Sequence, residues 1–122
     1  MKIIKTSRAL SPMEIYKFTK NPESLKASDH IGERFVLTGV LIYEDTNVED
    51  GSTKIITMME DEDGNYIGSN SPTIARSMSE ILEIYEDAGV EAFPLEIEII
   101  TGKSRKSGRN YVDIVLRGEG DK

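Results

Sequence analysis

Apolar residues recur along the chain at two spacings, and the change from one to the other marks its elements. The opening run Lys2-Ile3-Ile4-Lys5 reads as a strand or a loose arm. Ser11-Pro12-Met13-Glu14 then starts a short helix. Ser11 is placed to cap it, Pro12 suits its first turn, and Glu14 completes a capping box. Ile15 and Phe18 fall on its core side. The helix ends near Asn21-Pro22, and Pro22 opens a further single turn through Leu25.

Gly32 to Tyr43 reads as a strand. Phe35, Leu37, Leu41 and Tyr43 share one parity, and Val36, Val40 and Ile42 with Thr38 share the other. Both faces are apolar, so this strand is central or coiled. Gly39 interrupts one face and permits a bend. After an acidic connection ending in Asp50-Gly51, a second strand runs from Lys54 to Glu60. Asp63-Gly64 signals a hairpin into a short third strand, Asn65 to Ser69. Ile74, Met78, Ile81, Leu82 and Tyr85 then follow helical spacing, with Ser71 or Thr73 as cap and Gly89 as stop. Ser77, Glu80, Glu83 and Asp87 are expected to face water. Phe93 to Thr101 is a fourth strand, with Leu95, Ile97 and Ile99 inward and Glu96 and Glu98 wet. Tyr111 to Arg117 is a fifth.

Three strands, a helix and two strands is the order of an OB barrel. The expected fold is therefore mainly β with helices: a five-stranded OB-fold barrel, a helix between strands 3 and 4 plugging one end, and a short N-terminal helix. An open α+β sheet is the competing architecture. The chain has 122 residues, the size of one domain, and surface scaling lets about two thirds of the unfolded surface be buried. Residues 1–122 are read as a single domain, with 1–31 an N-terminal arm and helix and 117–122 a short C-terminal tail.

Charge changes this picture. The net charge is −7, but residues 1–34 carry +3, residues 35–100 carry −13 and residues 101–122 carry +3. Two basic segments flank an acidic middle, and if they meet on one face, that face can hold a polyanion. The strongest local feature is GKSRKSGRNY, residues 102–111. Lys103, Arg105, Lys106 and Arg109 stand beside Tyr111, with Ser104, Ser107 and Asn110 between them. Cations neutralise phosphates and an aromatic ring stacks on a base, which suits a single nucleic-acid strand. A solubilising hairpin is the competing reading. The N-terminal cations Lys2, Lys5, Arg8, Lys17, Lys20, Lys26 and Arg34 are spread too widely to define a site, and of these Arg34 is assigned to phosphate. Tyr43, Tyr66 and Tyr111 are expected to be wet and to stack on bases. Phe35 shares the parity of Tyr43 and is the fourth candidate, with core packing competing for its ring.

Other chemistries find little support. There are no cysteines and a single histidine, His30, so a zinc site and thiol catalysis are not expected. The carboxylates of EDTNVEDG and EDEDG miss the spacing of a calcium loop and read as solvated turns. GSTK at 51–54 and GKS at 102–104 lack the glycine spacing of a phosphate loop, and no GxSxG is present. Catalytic residues, metals and cofactors are accordingly given as none. No 18-residue apolar run exists and the basic N-terminus lacks an apolar region, so neither a membrane span nor a signal peptide is expected.

Three stretches, ALSPMEIYKFTKNPESLKASDHIGERFVLTGVLIYEDTN, NYIGSNSPTIARS and GKSRKSGRNYVDIVL, resemble small bacteriophage single-stranded DNA-binding proteins with an OB fold. The resemblance implies a non-enzymatic protein that coats exposed strands during phage replication or recombination in the host cell cytoplasm. Single-stranded DNA would meet the basic hairpin and the barrel's aromatic face, and the protein's partners would be further copies of itself or phage replication proteins. The apolar outer face of strand one or of strand two offers a seam between copies. The chain departs from the common bacterial pattern in lacking a long acidic tail, so recruitment through such a tail is not expected. The alternative is a structural or protein-binding adaptor on the same barrel, for which buried tyrosines and a neutral groove would be the mark. RNA binding also stays open.

Overall fold

The computed structural model describes residues 1–103, 106 and 108–119. Its elements, in chain order, are β1 (Lys2–Thr6), α1 (Pro12–Lys20), β2 (Leu25–Lys26), β3 (Arg34–Thr46), β4 (Thr53–Asp61), β5 (Tyr66–Ser69), α2 (Pro72–Ala88), β6 (Leu95–Lys103) and β7 (Asn110–Gly118). The protein is mainly β, with two α-helices and one curled sheet.

The local signals act as the residue types require. Ser11 accepts from the Glu14 amide and Glu14 returns a bond to the Ser11 amide, a complete capping box. Ser71 caps α2 by accepting from Ile74. Gly89 ends α2 in the left-handed conformation at φ 69°, which a glycine adopts without steric cost.

β3 organises the sheet. Its first residues, Arg34 to Leu37, pair with β6, and Leu37 to Thr46 pair with β4. Register slips between Leu37 and Gly39, so the strand changes direction where the sequence places its glycine. The sheet path is β2-β5-β4-β3-β6-β7, with β1 added to the far end of β3. The expected five strands are all present. The two further ones come from the segment expected as an arm: β1 is bonded into the sheet, and Leu25, expected in a helical turn, lies in β2, which joins β5 in parallel. β7 runs through Arg117 and Gly118, so these two residues belong to the sheet and not to a tail.

Each face of the sheet carries a core. Val40, Ile42, Met59, Ile67, Ile97, Ile99 and Ile114 enclose Ile74, Met78 and Leu82 of α2. On the opposite face Leu41, Tyr43, Met58 and Tyr66 pack against Phe18 of α1. This explains why β3 is apolar at both parities. Part of the face expected as a seam between copies is therefore covered by α1 of the same chain. Ser77, expected in water, is half-buried and donates to Asp113 of β7 at 2.6 Å.

Candidate nucleic-acid interface

The β6–β7 hairpin places the basic segment beyond the start of β3, because β6 runs antiparallel to it and continues past Arg34. The acidic β3–β4 connection lies beyond the other end of β3. The basic hairpin and the acidic 44–51 connection thus lie toward opposite ends of β3, whereas Lys2 of the other basic segment pairs with Glu44 and the acidic 60–63 turn pairs near Leu37. Lys103, Lys106 and Arg109 are exposed on the hairpin. Arg105 lies outside the described residues.

Tyr111 pairs across the hairpin with Gly102. Its ring lies over the glycine backbone so closely that a Cβ at Gly102 would sit 2.4 Å from the ring's Cζ and hydroxyl oxygen. The ring is 38% exposed. One part of it rests on the sheet and the rest faces water on the hairpin that carries the cations.

A groove of about 510 Å³ opens from this ring. It exists because β7 ends the sheet path on one side while β5, extended only by the two residues of β2, ends it on the other. The first turn of α2 spans the gap. Ser71 donates to the Val112 carbonyl at 3.0 Å and so fixes β7 to the helix. Lys26, Ser24, Ser28, Ser69, Asn70 and Thr73 supply the groove's polar lining, and no carboxylate is among its lining residues.

The other predicted residues lie elsewhere. Arg34 faces Glu98 at 3.4 Å and Glu96 at 3.9 Å, and Arg117 shares Glu98 at 3.0 Å. Its register partner, Glu98, is four residues from Gly102, roughly 13 Å along the strand. Arg34 is committed to this ion-pair ladder and is not gathered to the hairpin. Phe35 points to the inner face opposite Ile97, where it packs on the core and meets His30 edge-on at 6.0 Å. Tyr43 and Tyr66 are only 5% and 8% exposed, which corrects the expectation that they are wet. Tyr66 packs edge-on against Phe18 at 5.1 Å and donates to Glu60 at 2.9 Å. Burial, then the Glu60 carboxylate, pushes its hydroxyl pKa up to about 12. Burial, then Asp45, also raises that of Tyr43. With α1 over them, neither ring offers a face to a base.

The groove has no signature in the linear sequence. Lys26 is one of seven cations scattered along the N-terminal segment, and no motif links it to Ser24, Ser28, Ser69, Asn70 or Thr73. Only the parallel β2–β5 pairing brings them together. The EDEDG turn differs in one respect too. Asp61 is buried and accepts from the amides of Asp63 and Asn65 at 3.0 and 2.8 Å, so it organises the hairpin.

The fold is a small β domain that exposes cations and one aromatic ring on its β6–β7 hairpin. The chain belongs to the Phage Single-stranded DNA-binding protein family, whose family model matches residues 3–117. It is a phage protein that binds single-stranded DNA. Comparison with curated proteins and comparison with solved structures each gave no match. No helix among the described residues is long and apolar enough to cross a membrane.

Proposed function

We propose that the protein coats single-stranded DNA without reading its sequence, and that the β6–β7 hairpin is its principal contact. The observation that carries this reading is the half-exposed ring of Tyr111 on the same hairpin as Lys103, Lys106 and Arg109. The cations track phosphates and release condensed ions, while the ring takes a base by stacking, which tolerates any base. Arg105, in the same loop sequence, is counted with them.

The path β5-β4-β3-β6-β7 supports an OB reading, in the barrel order three-two-one-four-five with α2 between strands three and four. On that reading residues 1–122 are one OB domain. The N-terminal segment, 1–31, closes the face over strands one to three, and a short tail follows β7. DNA is therefore routed over the last hairpin and not over Tyr43 and Tyr66. The buried tyrosines match one mark of a protein-binding adaptor. The exposed basic hairpin and the family decide for DNA.

Coverage of about 4–16 nucleotides per domain means that several copies coat a long strand, alongside phage replication proteins in the host cytoplasm. Bound bases are kept from reannealing and from nucleases. No bond is made or broken, so no catalytic residue or cofactor is assigned.

Fluorescence anisotropy with labelled dT oligomers, duplex DNA and RNA across a salt series tests this reading. Single-stranded DNA is expected to bind above duplex, with little base preference. Replacing Lys103, Arg105, Lys106 and Arg109 by alanine is expected to weaken binding with an unchanged melting curve. Equal affinity for duplex, or no loss in that variant, overturns it. Tighter binding of RNA than DNA would reassign the strand.

A further inference from the structure

We propose that the groove between the β2–β5 edge and β7 is a second nucleotide subsite, which holds the nucleotide next to the base stacked on Tyr111. The proposal rests on the reading of the hairpin as the DNA contact. In a chain with 22 acidic residues, this groove is lined by no carboxylate and carries a cation. Its cation is Lys26, an exposed residue with no ion pair among the described residues. Lys5, Arg8, Arg34 and Arg117, by contrast, are each held by a glutamate.

The rest of the polar lining is neutral. Ser24, Ser28, Ser69 and Thr73 bring hydroxyls, and Asn70 brings an amide. Such groups hydrogen-bond base edges and sugars without demanding one base. About 510 Å³ lies within the roughly 300–1,000 Å³ that encloses one small-molecule ligand, so one nucleotide unit fits and a duplex does not. Tyr111 lines the same groove. A strand that leaves its ring away from the hairpin tip enters here, with Lys26 on a phosphate.

Lys26→Ala and Asn70→Trp test the subsite by independent readouts. Each phosphate contact on a single strand contributes about 0.7 to the slope of log K against log salt. Lys26→Ala is expected to make the slope shallower by about that amount, and Lys17→Ala on the exposed face of α1 to leave it unchanged. The chain has no tryptophan, so N70W carries the only indole, on an exposed residue of the groove wall. A dT oligomer is expected to change its emission, or to bind more weakly to a variant whose circular dichroism is native. Unchanged slope in K26A overturns the subsite, as does N70W with both emission and affinity unaffected by the groove position. A gap between two strand edges also admits a β-strand peptide, and those same outcomes would leave it as the occupant. If the hairpin variant loses binding while K26A and N70W are silent, the subsite falls alone. If the hairpin variant also keeps full affinity, the reading beneath it falls.

Discussion

The ring of Tyr111 lies directly across the backbone of Gly102, its partner on β6. Gly102 is not among the glycines with positive φ, so its backbone does not require glycine. The ring does, because a Cβ there would stand 2.4 Å from Cζ and the hydroxyl oxygen. Gly102 thus acts as a positioning residue that lets the ring lie against the hairpin. Gly102→Ala is expected to lift the ring and weaken dT binding by part of the roughly 1–3 kcal/mol that one stacked base contributes. Its salt slope should stay unchanged, because no cation is lost. Once Tyr111→Leu has removed the ring, Gly102→Ala should add nothing further. Anisotropy on the two single variants and the double variant reads this directly, and additive losses would show that glycine and ring act separately.

Arg34 gives a contrast on the same strand pair. Its guanidinium is engaged by Glu98 and Glu96, and Arg117 shares Glu98. The pairs are partly exposed, and such pairs contribute at most about 1 kcal/mol. Arg34→Ala is therefore expected to leave dT affinity within about twofold, with a small change in melting temperature. A loss comparable to that of the hairpin variant would move the DNA path onto the β3–β6 ladder.

The contrast shows what a linear reading carries. Elements set by local chemistry were legible: the Ser11 box, the Ser71 cap, the Gly89 stop and the alternation of Leu95, Ile97 and Ile99 all act as their residue types imply. The two-faced β3 was legible as buried on both sides, but what covers it was not. Phe18 sits on a short amphipathic helix, and nothing in its spacing says that it docks on Tyr66 across 48 residues of chain. Tyr43 and Tyr66 were misplaced for that reason, since a tyrosine fits a wet face and a lined core equally well. The hairpin was legible because its cations and ring are contiguous. The groove was not, because a two-residue parallel strand creates it.

Phe18 is fully enclosed and joins α1 to the sheet face that holds Tyr43 and Tyr66. Phe18→Ala removes a buried ring and leaves a cavity, a change that costs about 3–5 kcal/mol. Chemical denaturation is expected to show a loss of that size. Folded Phe18→Ala should keep its dT affinity, because the rings beneath α1 lie off the proposed path. A gain in affinity would instead identify α1 as a cover over a DNA-binding face.

Tyr66 makes stability depend on alkaline pH. Its hydroxyl pKa is raised to about 12 from the ordinary 10.0. The folded state therefore holds this proton more tightly than the unfolded chain does. The stabilisation is fully present below pH 10 and is lost as pH climbs toward about 12. Tyr66→Phe should flatten the fall in stability across that window, measured by denaturant titration at stepped pH. It should also remove one late-titrating phenol from the ultraviolet titration of the five tyrosines. An unchanged alkaline profile in Tyr66→Phe would assign the loss to other groups.

Thr57 lies wholly buried in β4, and its hydroxyl has no hydrogen-bond partner among the described residues. It pairs with Ile42 on one side and Ser69 on the other, and Ile42 belongs to the larger core. An unsatisfied buried hydroxyl costs about 1–3 kcal/mol of desolvation with nothing returned. Thr57→Val keeps the β-branched shape and replaces the hydroxyl by a methyl, which the strand tolerates. The variant is expected to be more stable by about 1 kcal/mol, a rise of a few degrees in Tm for a domain of this size. Its dT affinity should stay close to the parent's, since Thr57 is buried and does not line the groove. A lower Tm would mean that the hydroxyl has a partner in solution, such as an enclosed water, whose loss the methyl cannot replace.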